Sequence, residues 1–215
     1  DAGLTPYTAG GLDVRVRGTL GANAEMESFS NVITLTVTTY TTELPKLAVP
    51  GNHQGWNPPT APRIASSGFG ETDYEGYVWL DGGFKFLAPN VAGAFAWGNT
   101  DWGDDGSFSG VLVESGESDI TATAGYYRVN ANTTTLLYNV VPTNWGIIGA
   151  ATSGGWDNST ALTYNASTKK WEGTIVMTAG PYKFRANNAW DINLGGDSDL
   201  DGSMNYGGPD LTVDA

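Results

Sequence analysis

Trp171-Glu-Gly-Thr-Ile-Val-Met-Thr-Ala-Gly-Pro-Tyr-Lys-Phe-Arg-Ala-Asn-Asn-Ala-Trp190 begins and ends on tryptophan. Two strand-like runs, Glu172 to Met177 and Tyr182 to Arg185, flank a Gly-Pro turn. Alternation in the second run places Tyr182 and Phe184 on one face and Lys183 and Arg185 on the other. One face would pack. The other would present two cations, with Asn187, Asn188 and Trp190 just beyond. Flat aromatics beside such donors suit a sugar ring, whose apolar CH faces stack on an indole and whose hydroxyls require hydrogen-bond partners.

The same phrase occurs earlier in the chain. Tyr74-Glu-Gly-Tyr-Val-Trp-Leu-Asp-Gly-Gly-Phe-Lys-Phe86 aligns Tyr74 with Trp171, Gly76 with Gly173, and Lys85-Phe86 with Lys183-Phe184. Trp56 then matches Trp156, Trp97 matches Trp190, and Asp119-Ile120-Thr121 matches Asp210-Leu211-Thr212. A repeat with so little drift predicts two related modules of about 90–100 residues, an ordinary domain size.

Composition agrees with an all-β chain. Thirty glycines and eight tryptophans accompany many short alternating runs, and no window carries a capped helical period. The expected fold is a tandem of β-sandwich modules. Residues 1–43 stand outside the repeat. Leu12 to Arg17 and Val32 to Thr38 alternate around a Gly/Asn-rich loop, as two antiparallel strands would. A lone hairpin is marginal in water, so these read as the last strands of a sandwich. The expected division is 1–43, 44–142 and 143–215. The second module stops before the closing strands that the first possesses, so the chain reads as truncated at both ends.

A net charge of −13 argues against nucleic acid or an anionic membrane surface as partner. The absence of cysteine excludes disulfides, thiolate nucleophiles and cysteine-ligated metals. No signal peptide or transmembrane run is present in the sequence. Catalysis fits poorly. The single histidine, His53, lies in a Gly-Asn-His-Gln-Gly turn with no nucleophile elbow nearby. Asp104, Asp105, Glu172 and Asp191 could be nominated as glycosidase carboxylates, but none is duplicated beside an acid partner. No cofactor is expected. Asp197, Asp199 and Asp201 have the spacing of a calcium loop, but Gly208 stands where the bidentate glutamate belongs, and a solvated turn is the simpler reading.

The candidate binding residues of the second module are Trp156, Trp171, Lys183, Arg185, Asn188 and Trp190. Those of the first are Trp56, Tyr74, Lys85 and Trp97, with Trp102 a further candidate. Trp156 and Trp190 sit in loops of Gly, Asn and Asp, where core packing is less expected. Trp171 fits either core or platform. Leu87 stands where Arg185 stands, which removes a guanidinium fork from the first site.

Gly51-Asn-His-Gln-Gly-Trp56, Tyr74-Glu-Gly-Tyr77, Ile148-Gly-Ala-Ala-Thr-Ser-Gly-Gly-Trp156 and Lys183-Phe-Arg-Ala-Asn-Asn-Ala-Trp-Asp191 resemble the SusE/SusF surface glycan-binding lipoproteins of Bacteroidetes-type starch-utilisation systems. The N-terminal hairpin resembles the end of that family's immunoglobulin-like spacer. The layout of Trp156, Lys183 and Trp190 is also similar to the glucoamylase-type starch-binding domain. The resemblance implies a non-catalytic, cell-surface protein on the outer membrane, held by an N-terminal lipid outside this chain. It also implies α-glucan binding in company with SusC/SusD-type transporter components. The alternative is a structural spacer or docking subunit with no glycan site of its own.

Overall fold

The computed structural model describes residues 4, 8–21, 26–39, 43–197 and 202–214, and the chain is all-β. It divides into two compact units, Asp1–Leu44 and Pro45–Ala215. In the first unit, β1 (Ala9–Val14) pairs antiparallel with β4 (Ile33–Thr38). The segment expected as a loop instead forms a second ladder, β2 (Arg17–Leu20) with β3 (Met26–Phe29). Thr34 donates to Asp13 across the first ladder at 2.6 Å, and the Arg15 guanidinium sits 4.2 Å above the Phe29 ring. Val16, Leu20, Met26, Val32 and Ile33 are exposed, so these ribbons bury little apolar surface of their own.

The second unit opens with a sheet built from β5 (Lys46–Ala48), β6 (Arg63–Ser66), β7 (Asp73–Phe84), β8 (Phe86–Leu87), β9 (Asp101–Asp104), β10 (Leu112–Val113), β11 (Ile120–Asn132) and β12 (Leu137–Pro142). Their order is β10-β9-β8-β5-β6-β7-β11-β12. The two outer strands meet: Leu112 N donates to Leu136 O and Tyr138 N to Gly110 O, both at 2.8 Å. The sheet thereby curls on itself around Leu47, Ile64, Val78, Leu80, Phe84, Phe86, Leu112, Ile120 and Val129. Alternation produces this core, since Val78, Leu80 and Phe84 are buried on a strand whose neighbours are not.

Asp104 is fully buried at the end of β9. It accepts from Tyr138 Oη at 2.6 Å and from the Gly106 and Phe108 amides at 2.7 Å each. Burial alone would raise its pKa, but the three hydrogen bonds reverse that and hold it below the usual carboxylate value, while burial and the same contact push the Tyr138 phenol up. A carboxylate whose folded pKa lies under the unfolded value of about 3.9 stabilises the fold above that pH. The contribution is lost as pH falls through the folded pKa. Urea midpoints should therefore drop below about pH 4. Asp104→Asn should flatten that decline and cost about 1–2 kcal/mol at pH 6. This carboxylate is a structural anchor that ties β9 to β12.

The remaining strands are β13 (Trp145–Ile148), β14 (Thr160–Ala161), β15 (Thr163–Asn165), β16 (Lys170–Glu172), β17 (Gly180–Ala186), β18 (Asn193–Gly196), β19 (Met204–Tyr206) and β20 (Leu211–Val213). Five form the path β14-β13-β17-β18-β19, with β20 added on β17, while β15 and β16 make a separate ribbon. The repeat is visible in the register. Ile120 pairs with Phe84 in the first sheet, and its sequence match Leu211 pairs with Tyr182 in the second.

The expected strand Glu172 to Met177 is not formed. Its extended pairing stops at Glu172, and Gly173 to Thr178 has no strand assignment. The equivalent β7 is held along its length by β11, whereas β17 meets only the three residues of β20 at its start. Gly149 lets β13 turn against β17. Its φ is +146°, and a Cβ there would fall 2.3 Å from the Pro181 carbonyl oxygen.

Candidate functional site

Two pairs of indoles recur at matching places. Trp156 and Trp190 lie with ring centroids 6.1 Å apart and planes at 32°. Trp56 and Trp97 lie 6.1 Å apart at 38°. Trp156 is 38% exposed, Trp190 47% and Trp97 45%, while Trp56 is half-buried. Each pair joins the loop after the first strand of a repeat to the loop after its Lys-Phe strand, and the result is a bent aromatic shelf.

Local hydrogen bonding shapes the loops. In the first repeat, Gly51–Gly55 makes a short 3-10 turn after which Trp56 takes a left-handed backbone (φ +58°). In the second, Gly155 N donates to Thr152 O and Gly149 N to Gly155 O, curling the chain before Trp156. Asn187 and Asn188 are both left-handed, at φ +57° and +53°, a conformation asparagine tolerates better than most residues. They turn β17 toward Trp190. Asn187 is fixed by accepting from Asn144 N at 2.9 Å and donating to Pro142 O at 2.8 Å.

Arg185 departs from the expectation of a ligand-facing fork. It is 3% exposed. Its Nε donates to Ser159 Oγ at 2.7 Å, and Nη2 donates to Asn188 Oδ1 at 2.6 Å and to Asp157 O at 3.2 Å. Its guanidinium carbon lies 4.7 Å from the Trp190 ring centroid. Asn188 Oδ1 also accepts from Ser159 N at 2.9 Å. One side chain thus ties the Trp156 loop to the Trp190 loop and supports an indole face. Burial lowers its pKa, yet a guanidinium stays charged. The strand alternation is right, but the loops fold over the arginine and bury it.

Lys183 shares the strand face of Arg185, and among the described residues it makes no hydrogen bond or ion pair. Lys85, its counterpart, is paired with Asp101 at 3.4 Å and with Glu117. The indole nitrogens divide the same way. Trp56 Nε1 donates to Asn52 Oδ1 at 2.7 Å and Trp97 Nε1 to Trp56 O at 3.0 Å. Among the described residues, the indole nitrogens of Trp156 and Trp190 have no protein acceptor. The second shelf therefore keeps donors that the first has spent internally.

Leu87 is fully buried where Arg185 would stand. Across the sheet its row reads Arg63–Ala48–Leu87, against Ala161–Gly146–Arg185 in the second repeat. The arginine has changed flank. Arg63 stacks 3.9 Å from the Phe95 centroid and donates to Pro58 O at 3.0 Å, to Pro59 O at 3.1 Å and to Ala61 O. It braces the loop that follows Trp56. Sequence reading missed Arg63 because the repeat aligns it with alanine, and only the register across β5 shows that it replaces Arg185.

Three candidates lie elsewhere. Trp171 packs on Tyr126 at 5.7 Å and Tyr164 at 5.5 Å, between the two sheets, and its indole N–H is buried without a partner. Tyr74 packs on the first core and lines a cavity of about 760 Å³ with Tyr138 and Asn130. It sits at the opposite end of β7 from Phe84, which bridges to Gly51, a separation of about 30 Å along the strand. Trp102 is 7% exposed and donates to Glu114 at 3.0 Å, so it is core. Of the suggested calcium loop, Asp199 and Asp201 fall outside the described residues. Among the described residues, no cluster of three or more His, Cys, Asp or Glu could hold a metal ion.

No protein-family profile matches the chain, and no curated protein matches it. One solved structure to which it is similar is SusF from Bacteroides thetaiotaomicron, with 16% sequence identity and a TM-score of 0.37. The match covers 97% of this chain and 54% of that one, so the chain spans about half the length of that structure.

Proposed function

We propose that this chain is a non-catalytic polysaccharide-binding protein whose two bent tryptophan shelves take α-glucan. The observation that carries the reading is the duplication: indole pairs at equal centroid spacing and similar tilt, three of the four rings exposed, on equivalent loops of a repeat. A coplanar pair suits a flat glycan ribbon. A pair tilted by 32–38° follows successive sugar faces of a chain that curves, as α-1,4-linked glucose does. CH stacking supplies on the order of 1 kcal/mol per ring beyond area burial, and the free donors of the second shelf set the register. Each shelf alone is weak, and two shelves on one polymer gain through effective concentration. The sequence resemblance adds a place on the outer-membrane surface beside SusC/SusD-type transport components, and a division at residues 43 and 142.

Titration with maltoheptaose tests the reading through intrinsic fluorescence. Saturable change in tryptophan emission is expected, with no reducing sugar released from a polysaccharide panel. Unchanged emission at millimolar ligand would leave a spacer or docking subunit as the function.

A further inference from the structure

We infer that the seam between the two sheets of the second unit holds a third carbohydrate site, separate from both shelves and built from residues of both repeats. The seam is aromatic. Trp79 on β7 stacks on Tyr164 of β15 with centroids 5.1 Å apart and planes at 8°, and Tyr126 lies 4.8 Å from Tyr164. Beside this wall is a cavity of about 400 Å³, lined also by His53, Gln54 and Lys169.

What marks this cavity is unsatisfied polarity. Both ring nitrogens of His53 and the amide nitrogen of Gln54 are buried without a hydrogen-bond partner. Buried polar groups are nearly always paired, so three such atoms at one cavity indicate groups that a ligand or water completes. The volume exceeds by far the share of one water, about 30 Å³, and falls in the range of small-ligand pockets, roughly 300–1,000 Å³. The larger cavity beside Tyr74 differs in this respect. There Asn130 bonds Glu75, Ser67 bonds Asp73 and Asn132 accepts from two backbone amides.

The chemistry of the lining selects the ligand. Burial lowers the His53 pKa, and the Val49 backbone and the Asp81 charge oppose the shift only in part. A neutral imidazole offers one donor and one acceptor, the combination a hydroxyl pair needs. The Gln54 amide donates. Lys169 supplies the lining's one ammonium, and no carboxylate lines the cavity. Aromatic faces with neutral donors and acceptors fit one or two neutral sugar residues. This step rests on the carbohydrate reading above, but not on either shelf.

The test uses the full chain carrying Trp97→Ala and Trp156→Ala, which leaves the Trp56–Asn52 bond of the His53 turn in place, with maltotriose as probe and the Trp79 indole N–H resonance as reporter. Saturable movement of that resonance is expected in the double variant. Adding His53→Phe and Gln54→Glu should weaken the response at least tenfold. Gln54→Glu keeps the oxygen that accepts from Asn57 N at 2.7 Å, so the Trp56 loop retains its tie. An unmoved Trp79 resonance in the double variant, with wild-type shelves still binding, would overturn the seam site and leave the shelves standing. A response that survives both added substitutions would overturn it as well. Absence of binding in every variant and in the wild type would remove the shelves and the seam site together.

Discussion

Trp156→Ala and Trp190→Ala should each release the chain from an amylopectin affinity gel. Each substitution removes one exposed indole from the pair. The lost stacking and apolar contact are worth roughly 2 kcal/mol, about thirtyfold in affinity. Neither indole nitrogen bonds the protein among the described residues, so circular dichroism and urea midpoints should move little. Trp56→Ala and Trp97→Ala should cost less in binding. Their shelf has its lysine neutralised and its indole N–H groups engaged, and it offers a ligand fewer hydrogen bonds. Trp56→Ala should also disturb its own loop, since it breaks the bond to Asn52. Wild-type retention in both Trp156→Ala and Trp190→Ala would remove the second shelf from the binding function.

Arg185→Ala should lower stability by about 2–4 kcal/mol and weaken glycan binding through the loss of loop order. The side chain is buried, makes three hydrogen bonds and supports the Trp190 ring. Its removal costs Ser159 Oγ its donor and leaves the bond from Ser159 N to Asn188 Oδ1 as the remaining tie of Asn188 to the Trp156 loop. Arg185→Lys should recover little of this, because an ammonium cannot bond Ser159 and Asn188 from one rigid plane while stacking on an indole. Urea unfolding reads the stability loss, and the amylopectin gel reads the binding loss. A variant with wild-type midpoint and weakened retention would instead make Arg185 a direct ligand contact. The first repeat gives a natural comparison, since Leu87 fills the same position while Arg63 braces the tryptophan loop from the other flank.

Some of the molecule was plain in the residues. Trp156 and Trp190 in glycine- and asparagine-rich loops are exposed and paired, because such loops run over the surface and leave large side chains uncovered. The repeat is carried by register-bearing residues: Phe86 and Phe184 take equivalent ladder positions, as do Ile120 and Leu211. Other residues could not be placed from the chain alone. Trp171 and Tyr74 align in sequence, yet one lies in an aromatic seam and the other on the first core. Alternation assigns a side chain to a face but carries no information about which sheet will cover that face. The run 173–178 has strand composition and no strand, because a strand needs a neighbour to receive its hydrogen bonds.

By itself, the sequence determined the β character, the twofold repeat and the loops on which the tryptophans stand. Those follow from side-chain periodicity and turn chemistry, which are local. The tertiary structure decided that Arg185 is a brace, that Lys85 is neutralised while Lys183 is not, that Arg63 takes over for a missing guanidinium, and that the two repeats meet through aromatic rings. Each of these depends on contacts between residues far apart in the chain, and on which polar groups remain unpaired once those contacts are made.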